Sequence, residues 1–175
     1  MRRVASCLFV GALLIACSSS ASTTLPDPRP PNSNAPVDCS SGSCNCSGGG
    51  CVGTCNPDVD CNLECAGGAC ELTCQDDKSC TLDCSTGKCL VYCAANAPCN
   101  VDCSGGDCSM DCPTGSTCDM DCSGGGCTVL CEPQSTCQAH CSGGGCKYEC
   151  EGGAQCLLGD CSAGTCTCAG AGCPG

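Results

Sequence analysis

The fold this sequence predicts is all-β, a two-sided, disulfide-stapled β-solenoid of about six 19-residue coils with short caps and a disordered N-terminal tether. Three observations predict it: cysteine spacing with a fixed period, strand-like alternation inside each repeat, and glycine-rich linkers in one register. From Cys46 to Asp160 the cysteines fall at intervals of 5, 4, 6 and 4 residues, and the set then recurs every 19. Copies begin at Cys46, Cys65, Cys84, Cys103, Cys122 and Cys141, the last reaching Asp160 through a one-residue insertion. A fixed period means stacked units, so the fold belongs to the array and not to any one copy.

Within a copy the informative segment is C-x-φ-x-C, as in CELTC, CTLDC, CNVDC and CTVLC. Cysteine, aliphatic residue and cysteine share one face at i, i+2 and i+4, the period-two mark of a half-buried strand. Each copy holds two such segments. The central residues of one set are Leu63, Leu82, Val101, Met120 and Ala139; those of the other are Leu72, Val91, Met110, Val129 and Tyr148. A four-residue linker rich in Gly and a five-residue linker carrying Pro, Asn or Asp separate the strands, and both are built from turn formers. Gly49, Gly68, Gly87, Gly106, Gly125 and Gly144 hold one register of the shorter linker, as a corner with positive φ requires. Two strands and two tight turns per period make a flattened coil, and stacking identical coils pairs each strand with its counterpart in parallel. A chain of separate knot-like modules and a β-meander are the alternatives that the same turns allow.

In coil size the array resembles small disulfide-rich β-helices and calcium-binding β-rolls. It lacks the threonine ladder of insect ice-binding proteins and the G-G-x-G-x-D nonapeptide of the rolls, so the likeness is architectural. At the ends, residues 39–51 and 161–173 share the pattern C-x4-C-x-C-x4-C, in which a strand shrinks to one residue. Segments 39–45 and 161–175 are therefore expected to be tapered caps flanking the repeats at 46–160.

Two Tyr, one Phe and no Trp in 175 residues leave few large side chains for a core, whereas 32 Cys place the chain among disulfide scaffolds of oxidising compartments. In a flattened coil the inward cysteines meet where the walls converge, which pairs Cys65 with Cys70, Cys74 with Cys80, Cys84 with Cys89, Cys93 with Cys99, Cys103 with Cys108, Cys112 with Cys118, Cys122 with Cys127 and Cys131 with Cys137. Stacked strands about 4.8 Å apart also lie within disulfide reach, so spacing alone leaves links between successive coils open.

The first 16 residues form an export signal, with Arg2 and Arg3 followed by an apolar run from Cys7 to Ile15 that is too short to span a bilayer. The run ends in Leu14-Ile15-Ala16-Cys17, which resembles the lipobox of bacterial lipoproteins. That resemblance implies cleavage before Cys17, lipid on Cys17, and anchoring of an exported chain at the outer membrane or cell surface. Residues 17–38 follow as anchor and tether, since five Pro among Ser, Thr and Asn leave too little apolar area to fold.

A net charge of −12 argues against nucleic acid, whose phosphates would be repelled, and leaves cationic or envelope partners. His140 is the only His and has no nucleophile motif beside it, so catalysis is not expected. A thiolate metal store would suit the cysteine count, but the aliphatic residue midway between strand cysteines does not suit a cluster. The specific feature is a column: Glu64, Asp83, Asp102 and Asp121 share one outward register, broken by His140 and resumed at Asp160, with Asn62, Thr81, Asn100 and Asp119 beside it. Carboxylates about 4.8 Å apart could hold calcium between them, or could be one solvated position copied by duplication. The expected function is a non-catalytic structural or interaction module of the bacterial envelope, with metal binding as the alternative.

Overall fold

The computed structural model describes residues 24–29, 35–75 and 77–173, so the export signal and Cys17 lie outside the described residues. Among the described residues fifteen short strands follow one another. They are β1 (Ala35–Cys39), β2 (Ser43–Asn45), β3 (Cys51–Cys55), β4 (Cys61–Cys65), β5 (Glu71–Thr73), β6 (Cys80–Cys84), β7 (Leu90–Tyr92) and β8 (Pro98–Asp102). Then come β9 (Ser109–Cys112), β10 (Thr117–Asp121), β11 (Thr128–Cys131), β12 (Thr136–His140), β13 (Lys147–Cys150), β14 (Gln155–Leu158) and β15 (Thr167–Ala169). Odd-numbered strands form an eight-stranded sheet and even-numbered strands a seven-stranded one, each in chain order. Every pairing is parallel. The chain is thus a two-sided β-solenoid in which each strand meets the strand one turn later.

The alternation explains why these residues make strands. In β4 and β6 the burial pattern runs buried, exposed, buried, exposed, buried, with Cys61, Leu63 and Cys65, or Cys80, Leu82 and Cys84, turned inward. Register stacks like on like: Leu63 pairs with Leu82, Leu82 with Val101, Val101 with Met120, and Met120 with Ala139. The facing column runs through Leu72, Val91, Met110, Val129 and Tyr148. All of these are fully buried, so the core is one aliphatic layer sealed on both sides by sulfur. Where Tyr148 brings the one large ring into it, the other wall offers Ala139, and the Tyr148 hydroxyl donates to the Ala139 carbonyl at 3.4 Å. Size is conserved across the layer although the residues change.

The corners are set by backbone chirality and by sulfur. Gly106 and Gly125 have φ of 78° and 79°, and the residues after them, Asp107 and Gly126, are also left-handed at 56° and 72°. Such a pair reverses the chain in two residues, and consecutive corners then stack through bonds such as Asp107 N–H to Gly125 O (2.8 Å) and Gly126 N–H to Gly144 O (2.9 Å). A Cβ at Gly106 would sit 2.5 Å from Gly125 O, so glycine answers both the dihedral and the close approach. Disulfides close each corner from inside: Cys65 with Cys70 and Cys74 with Cys80 in one coil, Cys84 with Cys89 and Cys93 with Cys99 in the next. The same rule pairs Cys103 with Cys108, Cys112 with Cys118, Cys122 with Cys127, and Cys131 with Cys137. Among the described residues no disulfide joins one coil to another. Each loop closure is worth about 2 kcal/mol on the chain-entropy estimate.

Both ends depart from the expected boundaries. The segments read as tapered caps carry ladder strands of their own, β2 and β15, so the coils number about seven. β1 lies mostly inside the segment assigned to the tether: Ala35 to Cys39 pair residue for residue with Cys51 to Cys55, since A-P-V-D-C turns Val37 and Cys39 to the core side. Pro36 is tolerated there because β1 is an edge strand. Residues 24–29 are not a free tether either. Arg29 pairs with Asp27 at 2.8 Å and with Glu71 of β5 at 2.5 Å, and its side chain is only 9% exposed. Its bidentate bonds to Asp27 lower the Asp27 carboxyl below the ordinary range. Replacing Arg29 with Ala should therefore release this segment without unfolding the coils. Proteinase K should cut between Thr24 and Arg29 several times faster, with the melting temperature of the oxidised domain unchanged; equal cutting rates would contradict the docking.

Candidate functional site

The two outer faces differ. On the larger sheet, Leu90, Ser109, Thr128 and Leu130 point outward by alternation yet are buried. On the smaller sheet the corresponding positions from Asn62 to Asp121 are exposed, so this face is the more open of the two.

Register on that face is as strict as in the core. Asn45 pairs with Glu64, Glu64 with Asp83, Asp83 with Asp102, Asp102 with Asp121, and Asp121 with His140. Beside them Ser43, Asn62, Thr81, Asn100, Asp119 and Gln138 form a second column. The structure thus brings together all four acidic residues singled out from the sequence, one per coil. It also shows partners that the column alone did not reveal. Ser85, Ser104 and Ser123 donate their hydroxyls to the Oδ1 atoms of Asp83 (3.2 Å), Asp102 (2.9 Å) and Asp121 (3.2 Å), while Asn45 Nδ2 donates to Glu64 Oε2 at 2.8 Å. The signal was present as Asp-Cys-Ser in three successive coils, at residues 83–85, 102–104 and 121–123. Each hydroxyl restrains the side-chain orientation of its aspartate, which stays exposed. His140 ends the column, half-buried and bonded to Gln138 at 2.9 Å.

The thiolate reading loses its donors. Sulfurs of neighbouring coils do approach one another, as in the group Cys65, Cys84 and Cys89, with all three Sγ atoms within 4.8 Å. Each of these sulfurs is already held in a disulfide. From Cys39 to Cys173 every cysteine is paired. A metal would have to find oxygen donors or the His140 imidazole.

A second acidic group, invisible to the repeat pattern, lies on the larger sheet. Asp111 stands between Tyr92 and Leu130 in register, and its Oδ1 is buried without a hydrogen-bond partner. Burial, reinforced by Glu132 and Glu151, pushes its carboxyl up to about 6. The Glu132 carboxylate is occupied locally, accepting from Thr114 N–H at 3.1 Å. Burial, with the nearby Glu71 and Asp27 carboxylates, also raises the Tyr92 hydroxyl.

Comparison with protein-family models, with curated proteins and with solved structures finds no match for this chain. Among the described residues no helix is long and apolar enough to cross a membrane.

Asp111 has a measurable signature. Because its carboxyl titrates near 6 when folded and near the ordinary 3.9 when unfolded, the folded state holds the proton more tightly between those values. Its contribution therefore favours folding below about pH 4 and is lost as pH rises through about 6. Asp111→Asn should raise the melting temperature relative to the parent at pH 7 and converge with it at pH 4. A constant difference across that window would reject the assignment.

Proposed function

We propose that this protein is an exported, lipid-anchored and non-catalytic module of a bacterial envelope, a rigid rod that presents an acidic, regularly spaced face to a cationic partner. The observation that carries the reading is the exposed ladder Glu64, Asp83, Asp102 and Asp121, held in one-coil register by strands whose ends are tied by disulfides. Such a face offers charge at a repeat of about 4.8 Å on a surface with little freedom to rearrange, so a partner meets it at small entropic cost. Fifteen disulfides belong to an oxidising compartment. Export past the cytoplasm agrees with the leader, and anchoring with the Leu14-Ile15-Ala16-Cys17 lipobox. Cell fractionation tests the anchor. Cys17→Ser should move the protein from the membrane to the soluble fraction with its disulfides intact, and unchanged sedimentation with membranes would overturn the assignment.

Calcium on the acidic column is the second reading, favoured by the strict register and by the exposure of each serine-bonded aspartate. Calorimetry on the oxidised domain decides it. Binding lost in the variant combining Asp83→Asn with Asp102→Asn would support calcium, while identical flat traces at millimolar calcium would leave the cationic partner as the sole reading.

A further inference from the structure

We propose that the C-terminal disulfide Cys168–Cys173 is a site of covalent modification by thiols, with the buried pair Cys150–Cys156 beneath it completing the exchange. Sulfur is sealed along most of the rod. Among the described residues only two disulfides, Cys161–Cys166 and Cys168–Cys173, have neither cysteine buried. Exchange proceeds by attack of a thiolate on a disulfide sulfur, so a thiolate in solvent reaches this end of the rod first.

What singles out Cys168–Cys173 is the sulfur behind it. Cys168 Sγ lies 3.5 Å from Cys150 Sγ, in contact, whereas the closest approach of Cys55 to Cys80 is 4.0 Å and both of those residues are buried. Cys168 stands in β15, in register with Tyr148. Cys173 lies beyond that strand, in a turn where its N–H donates to Gly170 O at 3.4 Å. A thiol that takes Cys173 therefore releases Cys168 as a thiolate already against a second disulfide.

The incoming thiolate attacks Cys173 Sγ, a mixed disulfide forms there, the Cys168–Cys173 bond breaks, and the electron pair leaves on Cys168. Cys168 then attacks Cys150 Sγ, the Cys150–Cys168 bond forms as Cys150–Cys156 breaks, and the pair ends on Cys156, which takes the proton that the incoming thiol gave up. One thiol and two disulfides become two disulfides and one thiol, so nothing is oxidised or reduced overall. Cys150 and Cys156 are 1% and 5% exposed. Burial disfavours a thiolate, so Cys156 is held neutral and is a poor nucleophile for the reverse step. Without that second exchange Cys168 would return to Cys173 and expel the adduct. The new bond also ties β15 to the coil before it, which none of the original disulfides does.

Mass-spectrometric mapping tests this on the full oxidised chain, treated with glutathione at about pH 8 and then unfolded at acid pH in N-ethylmaleimide. The expected first product carries glutathione on Cys173, a Cys150–Cys168 disulfide and maleimide on Cys156. Maleimide on Cys168 instead would overturn the inward transfer, and equal adduct formation at sealed pairs such as Cys84–Cys89 would overturn the site. Removing the second pair by Cys150→Ala with Cys156→Ala should lower the Cys173 adduct about tenfold, because Cys168 then reverses the first step. Removing the staple at the other end, by Cys46→Ala with Cys51→Ala, should leave the adduct unchanged. Equal losses in the two variants would count against the proposal, and if the first does not fold, the map on the parent chain decides. A folded protein bearing one surface cysteine, run in parallel, separates the sources of thiol. Adducts from glutathione alone confine the substrate to small thiols, adducts from both extend it to protein cysteines, and none from either overturns the proposal.

Discussion

Closure of the corner by sulfur is the constraint on which the rest of this structure depends. A flattened coil of 19 residues has walls so close that only one inward side chain from the middle of each wall fits between them, and two Tyr with one Phe in the whole sequence cannot supply a larger core. Where the walls converge, an ordinary side-chain pair would be too bulky, whereas a disulfide spans the gap with Cα separations such as 6.3 Å for Cys65–Cys70 and 5.8 Å for Cys55–Cys61. Tying the corner fixes the strand ends, which fixes the inward register. That register in turn places the outward side chains.

Function follows from this geometry at one remove. Because each coil repeats its predecessor, any residue placed outward in one copy recurs along the rod axis, and Glu64, Asp83, Asp102 and Asp121 become a line of charge instead of four scattered carboxylates. Their serine and asparagine partners hold the line in place without neutralising it. The opposite face carries buried outward residues and the Arg29–Glu71 pair, so the two sides of the rod are chemically distinct.

What could be read from the sequence was whatever repeats. The C-x-φ-x-C alternation marked the strands, the glycine register from Gly49 to Gly144 marked the left-handed corners, and the acidic column followed from counting in nineteens. Departures from the period could not be read in this way. Residues 35–38 have the composition of a linker, and only pairing with β3 makes them a strand. Arg29 finds Glu71 across 42 positions by a contact that no local pattern encodes. Asp111 looks like any outward residue of its column, and its burial depends on what surrounds the larger sheet, not on its own segment. The two short end strands, β2 and β15, were hidden because a three-residue strand with one inward cysteine has too few alternations to declare itself.

Every disulfide spans five or six positions and therefore lies within a single turn. These bonds close the corners, while neighbouring coils are joined by the continuous backbone and adhere through hydrogen bonds and the aliphatic seam. Under tension applied along the axis, such a rod would not unravel as a free thread. It would part coil by coil from an end, each released turn still knotted by its own sulfur and able to reseat when the load falls. Such a rod could in this way yield under shear without losing its fold.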